Sequence, residues 1–69
     1  MAGLTNNLKD HRTRLGLTQA QLAKATDVSR KTINTIENRI FTPSTILSLK
    51  IARALNVSLH DIFALEEDA

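Results

Sequence analysis

Ten residues, Ser29 to Asn38, gather most of the chain's specific hydrogen-bonding chemistry. Wound as a helix, this stretch puts Arg30, Lys31, Asn34 and Thr35 on one face and Ile33 and Ile36 on the other, with Val28 just ahead of them. A guanidinium and an ammonium only donate, whereas a carboxamide and a hydroxyl both donate and accept. Such a face recognises polar surfaces. For catalysis one can only list Ser29 or Ser58 with His11 or His60 and a nearby Asp, and no nucleophile elbow, phosphate loop or metal motif accompanies them. The chain is therefore not expected to be an enzyme.

The charge distribution suits the same reading. All nine Lys and Arg lie before residue 54 against three acids there (Asp10, Asp27, Glu37), a net +6, while Asp61, Glu66, Glu67 and Asp68 follow with no cation among them. A basic body with an acidic end fits a phosphate-facing surface whose tail points away. Aromatic residues are two Phe, with no Trp or Tyr, which argues against base stacking on single strands and favours a duplex partner. No cysteine and only two separated histidines, His11 and His60, exclude disulfides and a structural zinc site, so neither metal nor cofactor is expected. The 69 residues are expected to form one domain, 1–69, with a core over about 6–63 and an acidic, frayed tail at 64–69. Met1 to Leu17 has neither a basic start nor an apolar run of signal-peptide length, and no run approaches a membrane span, so the expected location is the cytoplasm.

To hold that polar face outward, the rest of the chain must supply helices, and the punctuation predicts five short ones with no convincing strand alternation. The first runs from about Asn6 to Leu15, stopped by Gly16. Thr18 caps the second, with Gln21 three residues on completing a capping box, and it ends near Thr26. A tight turn follows, and Ser29 caps the third, Arg30 to about Asn38. Ile40 and Phe41 are expected to plug the core from the next loop. Thr42 and Pro43 are expected as N-cap and first residue of a fourth helix reaching Leu55. That helix carries two apolar stripes, Ile46, Leu49, Ala52 and Leu55 on one and Leu47, Ile51 and Ala54 on the other. Ser58 and Asp61 then start a last helical turn that buries Leu59, Ile62 and Phe63.

Helix two, a tight turn, and a third helix with an apolar inner stripe and a polar outer face form a helix-turn-helix arrangement, whose second helix enters the DNA major groove. The residues Leu15-Gly16-Leu17-Thr18-Gln19, Gln21-Leu22-Ala23, Val28-Ser29-Arg30, Ile33, Ile36-Glu37-Asn38, Pro43-Ser44 and Ile51 to Ser58 carry a resemblance. From about Leu8 to Phe63 the chain resembles the Cro/phage-repressor (XRE) family of regulators. The resemblance implies an all-α, five-helix, lambda-repressor-like DNA-binding domain.

It also implies roles. Arg30 and Lys31 stand where the family directs side chains into the groove, and with Thr35 and Asn34 they are the expected base-reading residues. Gln19, Ser29, Thr32, Asn38, Arg39 and Thr42 are the expected phosphate contacts. Arg12 and Glu37 match a family pair that holds helix one against the end of the recognition helix. The family usually has glycine where Asp27 and Arg39 stand; Asp tolerates a left-handed backbone moderately and so leaves the turn intact at some strain, whereas Arg tolerates it less well, so a modified loop is expected over 38–42. Family members bind paired half-sites as symmetric dimers, which makes Leu47, Ile51, Leu59, Phe63 and Leu65 candidates for a homodimer interface unless helix five covers them within one subunit. The implied function is a sequence-specific regulator of double-stranded DNA, a repressor at an inverted repeat, because so short a chain leaves no room for an activation or ligand module. The alternatives are a protein-interaction module of the same fold and an antitoxin-type autorepressor.

Overall fold

The computed structural model describes residues 3–66, in the order β1 (Leu4–Asn6), α1 (Leu8–Arg14), α2 (Gln19–Thr26), α3 (Arg30–Glu37), α4 (Thr45–Leu55), α5 (Leu59–Ile62) and β2 (Phe63–Leu65). Local chemistry sets most of the boundaries. Gly16, at φ 73°, turns the chain just past α1. The Thr18 hydroxyl accepts from the Gln21 amide at 3.1 Å while the Gln21 side chain accepts from the Thr18 amide at 2.8 Å, so two of the free N–H groups at the start of α2 are satisfied reciprocally. Ser29 does the same for α3, accepting from Thr32 N–H at 3.2 Å. Asp27 at φ 60° and Asn56 at φ 56° end α2 and α4 in the left-handed conformation.

Each helix turns one stripe inward. Leu8 of α1, Leu22 and Ala23 of α2, Ile33 and Ile36 of α3, and Ile51, Ala52 and Leu55 of α4 meet Ile62 and Phe63 in one core. Short helices are marginal alone, so this shared burial rather than propensity keeps them folded. Among the described residues no helix is long and apolar enough to cross a membrane.

Several expectations need correction. The expected five-helix fold is present, and a small ribbon that was not expected accompanies it: β1 and β2 pair antiparallel, Leu4 with Leu65, Thr5 with Ala64 and Asn6 with Phe63. This ribbon includes residues 64 and 65, which were expected to fray, while residues 67–69 of the expected acidic tail lie outside the described residues. The ribbon clasps the two ends together, and its ladder continues through Glu66 N–H to the Gly3 carbonyl at 2.7 Å and Asn7 N–H to the Ile62 carbonyl at 3.0 Å.

The cap of α4 is Ser44, not Thr42. Its hydroxyl accepts from Leu47 N–H at 3.1 Å, and Pro43 is buried ahead of the helix rather than forming its first residue. Ile40 and Phe41 do not plug the core; they are 77% and 47% exposed. The backbone explains why. Arg39 adopts φ 61°, and the next two N–H groups, of Ile40 and Phe41, both donate to the Thr35 carbonyl at 2.9 and 3.2 Å. The loop thus folds back along α3 and carries both side chains outward.

Candidate nucleic-acid interface

Because Ile33 and Ile36 are fully buried, α3 has no freedom to rotate, and its opposite face must meet solvent. Asn6 of β1 adds a fixed point, its amide donating to the Ile36 carbonyl at 3.0 Å. On the outer face Arg30 and Lys31 are exposed, and neither makes an ion pair or side-chain hydrogen bond among the described residues. Asn34, Thr35 and Thr32 are half-buried beside them. Ser29 and Thr32 share a hydroxyl contact at 2.9 Å, and the Thr35 hydroxyl donates to the Thr32 carbonyl at 2.9 Å, leaving its methyl and lone pairs for other partners.

A side-chain network fixes the edge of this face. Arg12 Nε and Nη2 donate to the two Glu37 carboxylate oxygens at 2.6 and 3.2 Å, and its Nη1 donates to the Leu17 carbonyl at 2.8 Å. Both side chains are nearly closed to water, 10% and 5% exposed. The pair therefore ties α1 and the following turn to the last turn of α3, in the arrangement the family resemblance implied. It also cancels the only acid of α3, so the positive potential of Arg30 and Lys31 is unopposed on that helix.

The network continues outward. Gln19 at the start of α2 donates to Glu37 Oε1 at 3.1 Å and accepts, at a long 3.5 Å, from Asn34, whose Oδ1 in turn accepts from Asn38 at 3.2 Å. Gln19 is thus held by internal bonds rather than projecting freely. One of its two amide hydrogens is committed to Glu37, and the second remains for an outside acceptor. Asn38 is similarly engaged, donating also to the Asn34 carbonyl at 2.9 Å. Arg39 lies against the terminal ribbon, its guanidinium on Glu66 at 3.1 Å with both side chains about half exposed. Thr42 is exposed.

The residues considered for a second copy separate into two groups. Ile51 and Phe63 are enclosed by the chain's own core, 0% and 7% exposed, and so present nothing to a partner. Leu47 and Leu59 are half-buried against that core, while Leu65 is 72% exposed. On α4 the apolar side chains that do face solvent are Ile46 and Leu49, from one of its two apolar stripes. Ser48 takes their place in the interior, satisfied by donating to the Ser44 carbonyl at 2.8 Å.

Outside α3, Asp61 caps α5, its carboxylate accepting from the Ser58 amide at 2.9 Å and the Ser58 hydroxyl at 3.0 Å. These bonds hold its pKa below the ordinary aspartate value. His11 bridges α1 to the same turn through the Asp61 carbonyl at 3.1 Å.

Comparison with known proteins agrees with this geometry. A family model described as helix-turn-helix matches residues 8–62. An uncharacterised HTH-type transcriptional regulator of Methanothermobacter thermautotrophicus is 47% identical over 62 residues, covering 88% of this chain and 90% of the relative. A second such regulator, of Methanocaldococcus jannaschii, is 45% identical over 65 residues, 94% of this chain and 98% of its own. Among solved structures, the restriction-modification controller protein C.AhdI of Aeromonas hydrophila superposes with a TM-score of 0.75 at 30% identity, over 78% of this chain and 82% of the controller. These relatives are regulators, not enzymes. The chain belongs to the XRE-type helix-turn-helix family and is a transcriptional regulator built on a DNA-binding domain.

Proposed function

We propose that this regulator represses transcription by laying α3 in the major groove of an inverted-repeat operator, as a cytoplasmic homodimer whose half-sites lie about one helical turn apart. The observation that carries the reading is the pair of exposed cations, Arg30 and Lys31, unpartnered among the described residues, on the one face of α3 that the core leaves open. Arg30 and Lys31 donate to guanine O6 and N7, Thr35 contacts a base edge one turn on, and Asn34 supplies a carboxamide matched to adenine. Gln19 offers its remaining amide hydrogen to a phosphate, from a position beside the positive end of α2. Ser29, Thr32, Asn38 and Thr42 line the same approach as further phosphate contacts. Arg39 joins them by exchanging the Glu66 carboxylate for a phosphate oxygen. Occupying a promoter then excludes polymerase without any further module.

Dimerisation supplies affinity, since one short domain neutralises few phosphates and loses binding steeply with salt. Of the five candidate interface side chains, Leu65 is open to a second copy, with Leu47 and Leu59 partly so. Selecting bound duplexes from a random library tests the whole reading. The expected result is a palindrome with half-sites roughly 10 base pairs apart; no enrichment, or an asymmetric single site, contradicts it.

A further inference from the structure

Phe41 is an aromatic side chain that the fold leaves half in water beside α3. An aromatic ring offers roughly 150–250 Å² of apolar surface, and leaving half of it in water forgoes stabilisation that burial would bring. Here the ring is 47% exposed although a core lies within the same small chain. It is held out by backbone chemistry. The left-handed Arg39 reverses the chain, and the paired N–H groups of Ile40 and Phe41 on the Thr35 carbonyl fasten the loop to α3. The outcome is a concavity of about 250 Å³ walled by Phe41 together with Ser29, Lys31, Thr32 and Thr35.

Those neighbours determine what can fill it. One wall is an aromatic ring, two are threonines that present methyl groups, and the rim carries an exposed ammonium. In the major groove the one apolar group on any base pair is the C5 methyl of thymine, and threonine methyls and phenylalanine rings are the side chains that contact it. Lys31 at the rim donates to an acceptor on the adjoining base pair or phosphate. We infer that Phe41, outside the recognition helix, is a specificity-determining residue that closes a thymine-methyl pocket against Thr32 and Thr35. The inference rests on α3 being the groove-facing helix and adds a contact from the α3–α4 loop.

The test uses the duplex most enriched from a random library, synthesised with each thymine in one half-site replaced in turn by deoxyuridine, which removes only the methyl. Wild-type protein is expected to lose about fourfold in affinity at one such position, the loss of one buried methyl. Phe41→Ala is expected to bind the thymine and deoxyuridine duplexes with nearly equal affinity. If Phe41→Ala loses its helical far-UV spectrum, Phe41→Gln carries the same comparison, keeping side-chain length without the ring. The inference is overturned if the deoxyuridine penalty is unchanged in the variant. It is also overturned if no thymine position matters and the variant is merely weaker on every sequence, since the ring then packs on the sugar-phosphate backbone. Failure of the wild type to enrich any duplex would overturn the groove-binding reading itself, and this inference with it.

Discussion

Removing one member of the Arg12–Glu37 pair should cost far more than removing both. Arg12→Met strands the Glu37 carboxylate at 5% side-chain exposure, with only the Gln19 amide among the described residues left to donate to it. Stranding one charge of a strongly buried pair costs about 3–5 kcal/mol. At roughly 0.05–0.15 kcal/mol per residue, a chain of 69 residues is stable by only about 3–10 kcal/mol in total. The single variant therefore loses much of its folded population, and a 3 kcal/mol loss lowers the melting midpoint by about 12–24 °C in a domain this small. In Arg12→Met/Glu37→Leu no buried charge remains. The Leu17 carbonyl still loses a donor, worth about 1 kcal/mol, so the double variant should fall slightly below wild type yet at least about 2 kcal/mol above Arg12→Met. With no Trp or Tyr, urea and thermal unfolding are followed by far-UV circular dichroism. The reasoning fails if Arg12→Met costs under about 1 kcal/mol, as an exposed pair would, or if the double variant is no more stable than the single one.

Further outcomes follow from individual elements. Ser44→Ala should destabilise by about 1 kcal/mol in the same unfolding experiment while Thr42→Ala changes little, because the α4 cap is made by Ser44. Ile51→Ala should cost about 2–5 kcal/mol and Ile46→Ala under about 0.5 kcal/mol, since the first is enclosed and the second faces solvent. The Asp61 pKa is lowered by its bonds from Ser58, so its contribution is fully present above the ordinary value of 3.8 and is lost as pH falls through the lower folded value. Acid titration should accordingly show a loss of stability below about pH 4 that is smaller in Asp61→Asn; identical profiles would remove Asp61 from the account.

Much of the fold was legible because its signals are local. The caps at Thr18–Gln21 and Ser29 depend on residues three apart, and the left-handed backbone at Asp27, φ 60°, falls where glycine was missing; Arg39 was expected to modify its loop, yet it takes the left-handed backbone itself at φ 61°. The features that were not legible depend on distant or degenerate information. Three-residue strands are too short for alternation to register, and their pairing joins ends about sixty residues apart. Thr42 and Ser44 both carry a hydroxyl that can cap a helix, and the structure uses the one on Ser44, with Pro43 buried ahead of it. On α4 both stripes are apolar, so which one faces inward was open until packing chose Ile51, Ala52 and Leu55 with Ser48, leaving Ile46 and Leu49 outside. Phe41 reads as core by composition, and only the loop's bonds to Thr35 reverse that. The residue types on the outer face of α3 are read directly from the sequence, whereas the internal commitments of Gln19 and the Arg39–Glu66 contact were not legible, because they join residues far apart in sequence.

The most direct measurement compares wild type, Arg30→Ala and Gln19→Ala on the selected duplex and on a random duplex of equal length, by fluorescence polarisation with labelled DNA at low and moderate salt. Arg30→Ala should lose about 5- to 150-fold, or roughly 1–3 kcal/mol, on the selected duplex and far less on the random one. Gln19→Ala should weaken both alike, and salt should weaken wild-type binding steeply. Wild-type protein that binds neither duplex at low salt, or an Arg30→Ala loss equal on the two, would contradict the assignment of α3 as the helix that reads DNA.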